Sequence, residues 1–448
     1  MCEIVKKVES HFLSELFMSF DQEGIKYCVL RNYSQLPNSM GGSDLDLAVL
    51  PEQSKQAGKC VLAVAEKYGA ELLMDYTASG RMIRLLGCYE GQWWGAAVDL
   101  FWAMDYKGIE YLPVSYLIGN SKIHRGIRVA NDVDAIVTAL VKELLSNGVS
   151  RKEYFGEVVA AHQSDCSHVR ELLDRMFSPK AAASLVQTFG DKNPEKRELS
   201  RCVSLLRRNV LGMSWISQFP LRVCNLYRRL KRVILHPGRA IAVMGTDGSG
   251  KTTLIDAMMP VLTEATHNEV EYKHLRPNMI PALGSVGRGK SSQPNAPVNR
   301  PHDKEASGSM MSLFRVIYYS LDYYIGYWVT IYPSLVKRAH ICIFDRYFYD
   351  FLIDQKRMRI RLPQWVITLV FKFAPKPSLI LCLGGNPEKI YQRKPETSLH
   401  EVTRQVNNLK EFCVQHEKAV WIDTTKSVSI SVNQALTAIQ KTKPWYVR

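Results

Sequence analysis

The chain has 448 residues, about three times the length of an ordinary domain, so a single small module is excluded. Apolar residues make up 46% and charged residues 23%, a balance that excludes a disordered chain. Charge is unevenly spread: residues 1–198 hold 22 basic and 26 acidic side chains, residues 199–239 hold 9 and none, and residues 240–448 hold 27 and 17, so an anionic ligand or surface is expected to meet the second half.

Ile25–Leu30 and Leu45–Leu50 are apolar runs separated by a polar stretch with Pro37, Gly41 and Gly42, the pattern of two strands joined by a loop. A helical period follows from Pro51 to Tyr68 and stops at Gly69; strands are then predicted at Arg81–Leu86 and Ala96–Trp102, with a turn around Gly91. Asp44 and Asp46 stand two apart on the second strand, so both side chains leave one face and can share metal ions. Asp99 joins them if its strand is adjacent. Such carboxylates suit two-metal nucleotidyl transfer, in which one ion activates the attacking oxygen and both stabilise the leaving pyrophosphate. An Asp-x-Asp pair is also common in turns, so a ligand-binding or scaffold domain is the other reading. Residues 20–145 resemble the nucleotidyltransferase superfamily related to DNA polymerase β, which implies metal binding by Asp44, Asp46 and Asp99. Members usually carry a Gly-Ser pair ahead of the Asp-x-Asp; Arg31-Asn32 stands in that place here, and an arginine can itself contact phosphate.

From Asp132 to Phe189 the period is helical, with Val133, Ile136, Val137, Leu140 and Leu144 on one face. The predicted organisation is an α+β domain at 1–130, a helical extension at 131–198 and a basic amphipathic linker at 199–238. His162, Cys166 and His168 have metal-compatible spacing, yet no fourth ligand is evident and zinc is not assigned. Between Leu221 and Leu235, Val223, Leu226, Tyr227, Leu230 and Ile234 fall at helical spacing, with Arg222, Arg228, Arg229 and Arg232 around the rest of the wheel. This is either an interdomain helix packed by its apolar stripe or a peripheral anchor on the inner surface of a membrane.

From Arg239 onward, strands predicted at Ala240–Met244, Glu271–Leu275, His340–Phe344, Ser378–Leu383 and Ala419–Ile422 alternate with helical patterns. That alternation predicts an α/β domain over 239–448 with a doubly wound parallel sheet. The polar stretch Gly284–Ser309 interrupts it and is expected to be a mobile loop. Gly245–Thr252 reads GTDGSGKT, a P-loop pattern placed between an apolar strand and a helix, with Thr253 following. Gly245, Gly248 and Gly250 let the backbone curl, so that amides near Ser249 can point at phosphate oxygens. Lys251 can bridge the β- and γ-phosphates of ATP, and the Thr252 hydroxyl can ligate Mg²⁺. Asp345 at a strand's carboxyl end suits a water-mediated Mg²⁺ contact or a base, and Arg346 can hold an anion or the moving phosphoryl group. In the aromatic helix Phe314–Tyr332, Asp322 and the tyrosines around it, Tyr323 among them, either touch a base or sugar ring or form a core helix.

Together GTDGSGKTT, the Asp345-Arg346-Tyr347 triplet and PSLILCLGGNPEKIYQRK are similar to thymidylate kinase and its relatives among nucleoside monophosphate kinases, from Arg239 to about Thr442. The resemblance implies that Asp247 faces an acceptor sugar hydroxyl, that Lys251 and Thr252 hold donor phosphates and metal, and that Asp345 and Arg346 serve the transfer site. It also places Arg393 and Lys394 in a lid near the donor and Tyr347 of the triplet on the acceptor side. The segment HLRPNMIPALG departs from the family by leading into the long polar loop, though its Arg276 can still bind an acceptor anion. Leu383-Gly384 stands where such kinases carry Leu-Asp. Divergent kinases of this kind also accompany bacterial surface-polysaccharide genes, so a sugar or glycan acceptor stands beside dTMP.

Ten cysteines form no Cys-x-x-Cys pair, and the amino-terminal MCEIVKKVESHF lacks a signal-peptide core, so a reducing cytoplasm is expected. The expectation is a bifunctional cytoplasmic enzyme using ATP and Mg²⁺ on a small-molecule or glycan acceptor; the alternative is a nucleotide-dependent protein that docks on a membrane or partner. No motif supports nucleic-acid binding, and a homodimer is one option for the assembly.

Overall fold

Two sheets organise the chain, one in each of the units Met1–Ile234 and Leu235–Arg448. The structure is a computed structural model and describes residues 3–77, 80–149, 151–189, 195–213, 219–280, 308–337 and 339–442. Most of the predicted loop Gly284–Ser309 lies outside the described residues.

The first unit contains β1 (Tyr27–Val29), β2 (Leu45–Val49), β3 (Ala70–Thr77), β4 (Arg81–Tyr89), β5 (Gln92–Phe101), β6 (Met104–Tyr106), β7 (Ile109–Leu112), β8 (Lys122–His124) and β9 (Ile127–Val129). Seven of these form a mixed sheet in the order β3-β4-β5-β2-β1-β9-β8, while β6 and β7 pair as a hairpin. The helix Glu3–Gln22, not predicted, places Phe12, Leu13, Leu16, Phe17 and Phe20 at helical spacing in the sheet's core. The helical extension is broken by local caps into Asp132–Asn147, Lys152–Ser164, Cys166–Met176 and Pro179–Thr188. The Asn131 side chain accepts from the Val133 amide, Gly148 closes its helix with a φ of 78°, and Asp165 accepts from the His168 amide. The helix Lys196–Gly212, expected in the linker, belongs to this bundle: Cys202, Val203, Leu206 and Val210 join its core, and Arg207 Nε donates to the Leu145 carbonyl at 2.9 Å. Phe219–Ile234 then forms the amphipathic helix.

The second unit contains β10 (Arg239–Gly245), β11 (Val270–His274), β12 (Ile341–Asp345), β13 (Leu379–Gly384) and β14 (Ala419–Asp423), all parallel in the order β11-β12-β10-β13-β14. Ala240, Ala242 and Met244 of β10 join a core with Tyr323, Tyr347, Phe348 and Phe412; the alternating Ile241 and Val243 leave the opposite face. Chain order runs outward from β10 on both sides, through β12 and β11 one way and β13 and β14 the other. A crevice is therefore expected at the carboxyl end of β10, where the order reverses.

Candidate nucleotide site and carboxylate cluster

At the carboxyl end of β10, two steric demands shape the turn. Gly248 and Gly250 have φ of 79° and 84°, in the left-handed region. Gly245 has ordinary φ but no room: a Cβ there would lie 2.5 Å from Ser249 Oγ and 2.9 Å from the Leu383 carbonyl oxygen. Gly250 then caps the helix Lys251–Thr266, whose first amides have no partner within the helix and face the turn with the positive end of its dipole. The hydroxyls of Thr246 and Ser249 are buried without a hydrogen-bond partner among the described residues.

Lys251 is buried, and its Nζ donates to the carbonyls of Gly245 at 3.0 Å and Thr246 at 2.8 Å. Burial, helped by the charge of Arg346, pulls its pKa down to about 7. A cavity of about 670 Å³ is lined by Lys251, Thr252, Asp345, Arg346, Arg357 and Arg393, and Asp247, Gly248, Gly250, Thr253 and Lys394 also line it. The sheet register brings Asp345 to this place, because it pairs with Val243 two residues before the turn.

Asp345 accepts from the Tyr272 hydroxyl at 3.2 Å through Oδ2, which also lies 3.6 Å from His274 Nδ1. Its Oδ1 is buried and unpartnered among the described residues. Burial acts to raise its pKa, yet His274, Lys251 and Arg346 together hold it below the usual value. An ionised carboxylate with one oxygen unclaimed, beside the exposed Thr252, fits a hard divalent cation such as Mg²⁺.

Arg346 is buried with φ of 75°, left-handed backbone that costs an arginine about 1–2 kcal/mol. That backbone aims Nη2 at Asp247 Oδ1, 2.6 Å away, and Nη1 at Asp350 Oδ2, 2.8 Å away. Arg357 Nη1 takes the other Asp247 oxygen. Although burial works against ionisation of Asp247, the two guanidinium groups hold its carboxyl well below the usual range. Asp247 is thus clamped between arginines, one on each oxygen, while its side chain still lines the cavity. Arg357, Asp350, Tyr272 and His274 were not predicted. Asp350 stands four residues after Arg346 in the same motif; Arg357 is one of several bases in KRMRIR, and nothing in its spacing marks it out.

Arg276, Asp322, Tyr323 and Tyr347 do not line this cavity. Asp322 is fully buried, accepts from Arg276 Nη1 at 2.9 Å, and receives the amides of Asn278, Met279 and Ile280 at 3.1, 2.9 and 3.2 Å. It folds the segment after β11 instead of meeting an acceptor. Tyr323 and Tyr347 have no exposed surface, and their hydroxyls donate to the carbonyls of Leu275 and Pro375. The expectation of acceptor contact is corrected for these two: they are packing residues, because both their rings and their polar ends are spent within the core. Gly384 also has a steric cause. A Cβ there would lie 2.2 Å from Trp421 Cη2, so the aspartate of the kinase pattern has no space.

In the first unit, Asp46 of β2 pairs directly with Asp99 of β5, and Asp44 precedes Asp46 by two positions. All three are buried, and one oxygen from each lies within 4.8 Å of the others. Arg31 Nε ion-pairs with Asp46, its Nη2 lies 3.4 Å from Asp44 Oδ1, and Arg84 Nη1 donates to Asp99. Arg84 was not predicted, and Arg31 reaches the carboxylates from the place of the absent Gly-Ser pair. Burial, with the nearby charge of Asp46, pushes Asp99 up to about 6 against the pull of Arg84. Asp46 Oδ1 is buried without a partner among the described residues. Three carboxylates against two guanidinium groups leave net negative charge and one unclaimed oxygen, a donor set that fits a divalent cation. His168 of the unassigned zinc trio is engaged with Asp134 at 2.8 Å instead.

A family model for the P-loop containing region of AAA domain matches residues 222–273, which include β10, the glycine turn and the helix after it. With the parallel sheet and the buried Lys251, this supports a P-loop nucleotide-binding domain. Among solved structures, thymidylate kinase from Ehrlichia chaffeensis aligns over 46% of this chain and 100% of its own, at 16% identity and a TM-score of 0.32. No curated protein matches.

Proposed function

We propose that the second unit transfers the γ-phosphoryl group of ATP to a nucleotide or to a sugar or glycan acceptor. The observation that carries this reading is the meeting, in one cavity, of Lys251, the half-engaged Asp345 and the Arg346–Asp247–Arg357 clamp. In transfer, the bond from the γ-phosphorus to its bridging oxygen breaks while one to an acceptor oxygen forms, and charge spreads over the equatorial oxygens. Helix amides and Lys251 face the donor phosphates; Arg346 and Arg357, pre-aligned by Asp247, face the moving group and cost no reorganisation when charge develops. A Mg²⁺ ion held through Thr252 and Asp345 would neutralise donor charge.

The test is a transfer screen with γ-labelled ATP and, in turn, dTMP, other monophosphates, free sugars and lipid-linked sugars. One class is expected to take up label, and Lys251→Ala is expected to lower the rate by about 100-fold or more. Unchanged turnover in Lys251→Ala overturns the assignment.

For the first unit, the spacing of Asp44, Asp46 and Asp99 supports a metal-dependent nucleotidyltransferase. Arg31 would have to yield its place on Asp46 as the metal enters. Mn²⁺ titration followed by electron paramagnetic resonance is expected to show binding that Asp46→Asn removes and Lys251→Ala retains. A chain that binds no Mn²⁺ here has Arg31 as its resident cation, and the domain is a scaffold.

A further inference from the structure

The helix Phe219–Ile234 is turned the opposite way from an ordinary packed surface helix. Its polar side meets the first unit: Arg222 Nη2 donates to the Leu211 carbonyl at 2.6 Å, Asn225 Nδ2 to that of Lys107 at 2.7 Å, and the Arg232 guanidinium lies 4.7 Å from the Tyr76 ring centre. Its apolar side faces outward, with Val223, Leu226, Tyr227, Leu230, Val233 and Ile234 between 46% and 66% exposed. On a helical wheel these six fall within one arc of about 120°, and the exposed Arg229 and Lys231 stand on its two margins. Contiguous apolar surface of this kind marks an interaction site.

Charge selects the occupant. The helix carries Arg222, Arg228, Arg229, Lys231 and Arg232 and no acidic residue, and Arg229 and Lys231 flank the stripe, so a second copy of this face would bring like charges together. An apolar arc with basic margins is the cross-section of a helix lying in a bilayer interface, apolar face down and cations level with lipid phosphates. No helix among the described residues is long and apolar enough to cross a membrane, so contact through this element is in the plane. We propose that the protein docks on an anionic phospholipid surface through Phe219–Ile234, the stripe entering the boundary between headgroups and acyl chains while Arg229 and Lys231 contact lipid phosphates.

Sedimentation of the full chain with vesicles tests this, comparing phosphatidylcholine alone with phosphatidylcholine–phosphatidylglycerol mixtures at low and high salt. Binding is expected only with phosphatidylglycerol and is expected to weaken roughly tenfold at high salt. The pair Leu226→Glu and Leu230→Glu is expected to weaken it by roughly tenfold or more, and Arg229→Glu with Lys231→Glu likewise. All four side chains are exposed, so circular dichroism and melting are expected to match the parent. Absence of binding at low salt, or binding unchanged by the leucine substitutions, overturns the proposal. So does self-association without lipid that the leucine substitutions abolish, since that gives the face to a second copy.

Discussion

Lys251 must be a cation to hold phosphate, yet burial, helped by the charge of Arg346, brings its pKa down from 10.5 to about 7. The sign is fixed by linkage: the folded protein without nucleotide binds fewer protons here than the unfolded chain between about pH 7 and 10.5, so this group costs stability progressively as pH falls through that window. Phosphate reverses the shift, and nucleotide binding should therefore draw a proton from solvent above about pH 7. Calorimetry at pH about 8 in buffers of different ionisation enthalpy is expected to show net proton uptake, absent in Lys251→Met. This lysine was legible in the sequence, because strand, glycines and helix are local and contiguous. The clamp on Asp247 was not: Arg357 lies 110 positions away, and only tertiary folding chooses it from its basic run.

The register of β10 with β12 and β13 places the site, and the parallel sheet was legible because strands and helices alternate visibly. The aromatic helix was harder. Its sequence reads equally as a stacking surface or as core, and what decides between them is that Asp322, at the start of the π-helical segment Asp322–Ile331, accepts from Arg276 and from the amides of Asn278, Met279 and Ile280. Asp322→Ala is expected to destabilise the protein by about 3–5 kcal/mol, since it strips Arg276 and three amides of their buried partner. Chemical denaturation checks this. A side chain that merely touched the acceptor would instead raise KM at unchanged stability. Gly384 is a related case: sequence marks it only as a departure from a pattern, whereas packing gives its cause, because Trp421 fills the space a side chain would need.

Each unit encloses its own core, with Trp94 and Tyr27 deep in one and Tyr323, Tyr347 and Phe344 in the other. Fragments 1–234 and 235–448 are therefore expected to fold separately, each with a cooperative melt and native-like near-ultraviolet dichroism. An aggregated or molten fragment counts against that division. The charge asymmetry between the halves was legible at once, whereas the seam was drawn too early, because the helix Lys196–Gly212 reads as basic and amphipathic yet buries its stripe in the bundle. Amphipathic spacing gives the existence of a stripe but not which side a neighbour will cover. In the helix Phe219–Ile234 the outward stripe leaves the thiol of Cys224 exposed beside Val223. A polarity-sensitive fluorophore attached there would disturb no packed neighbour, so nature has left a reporter position at the edge of the very surface whose surroundings most need to be read.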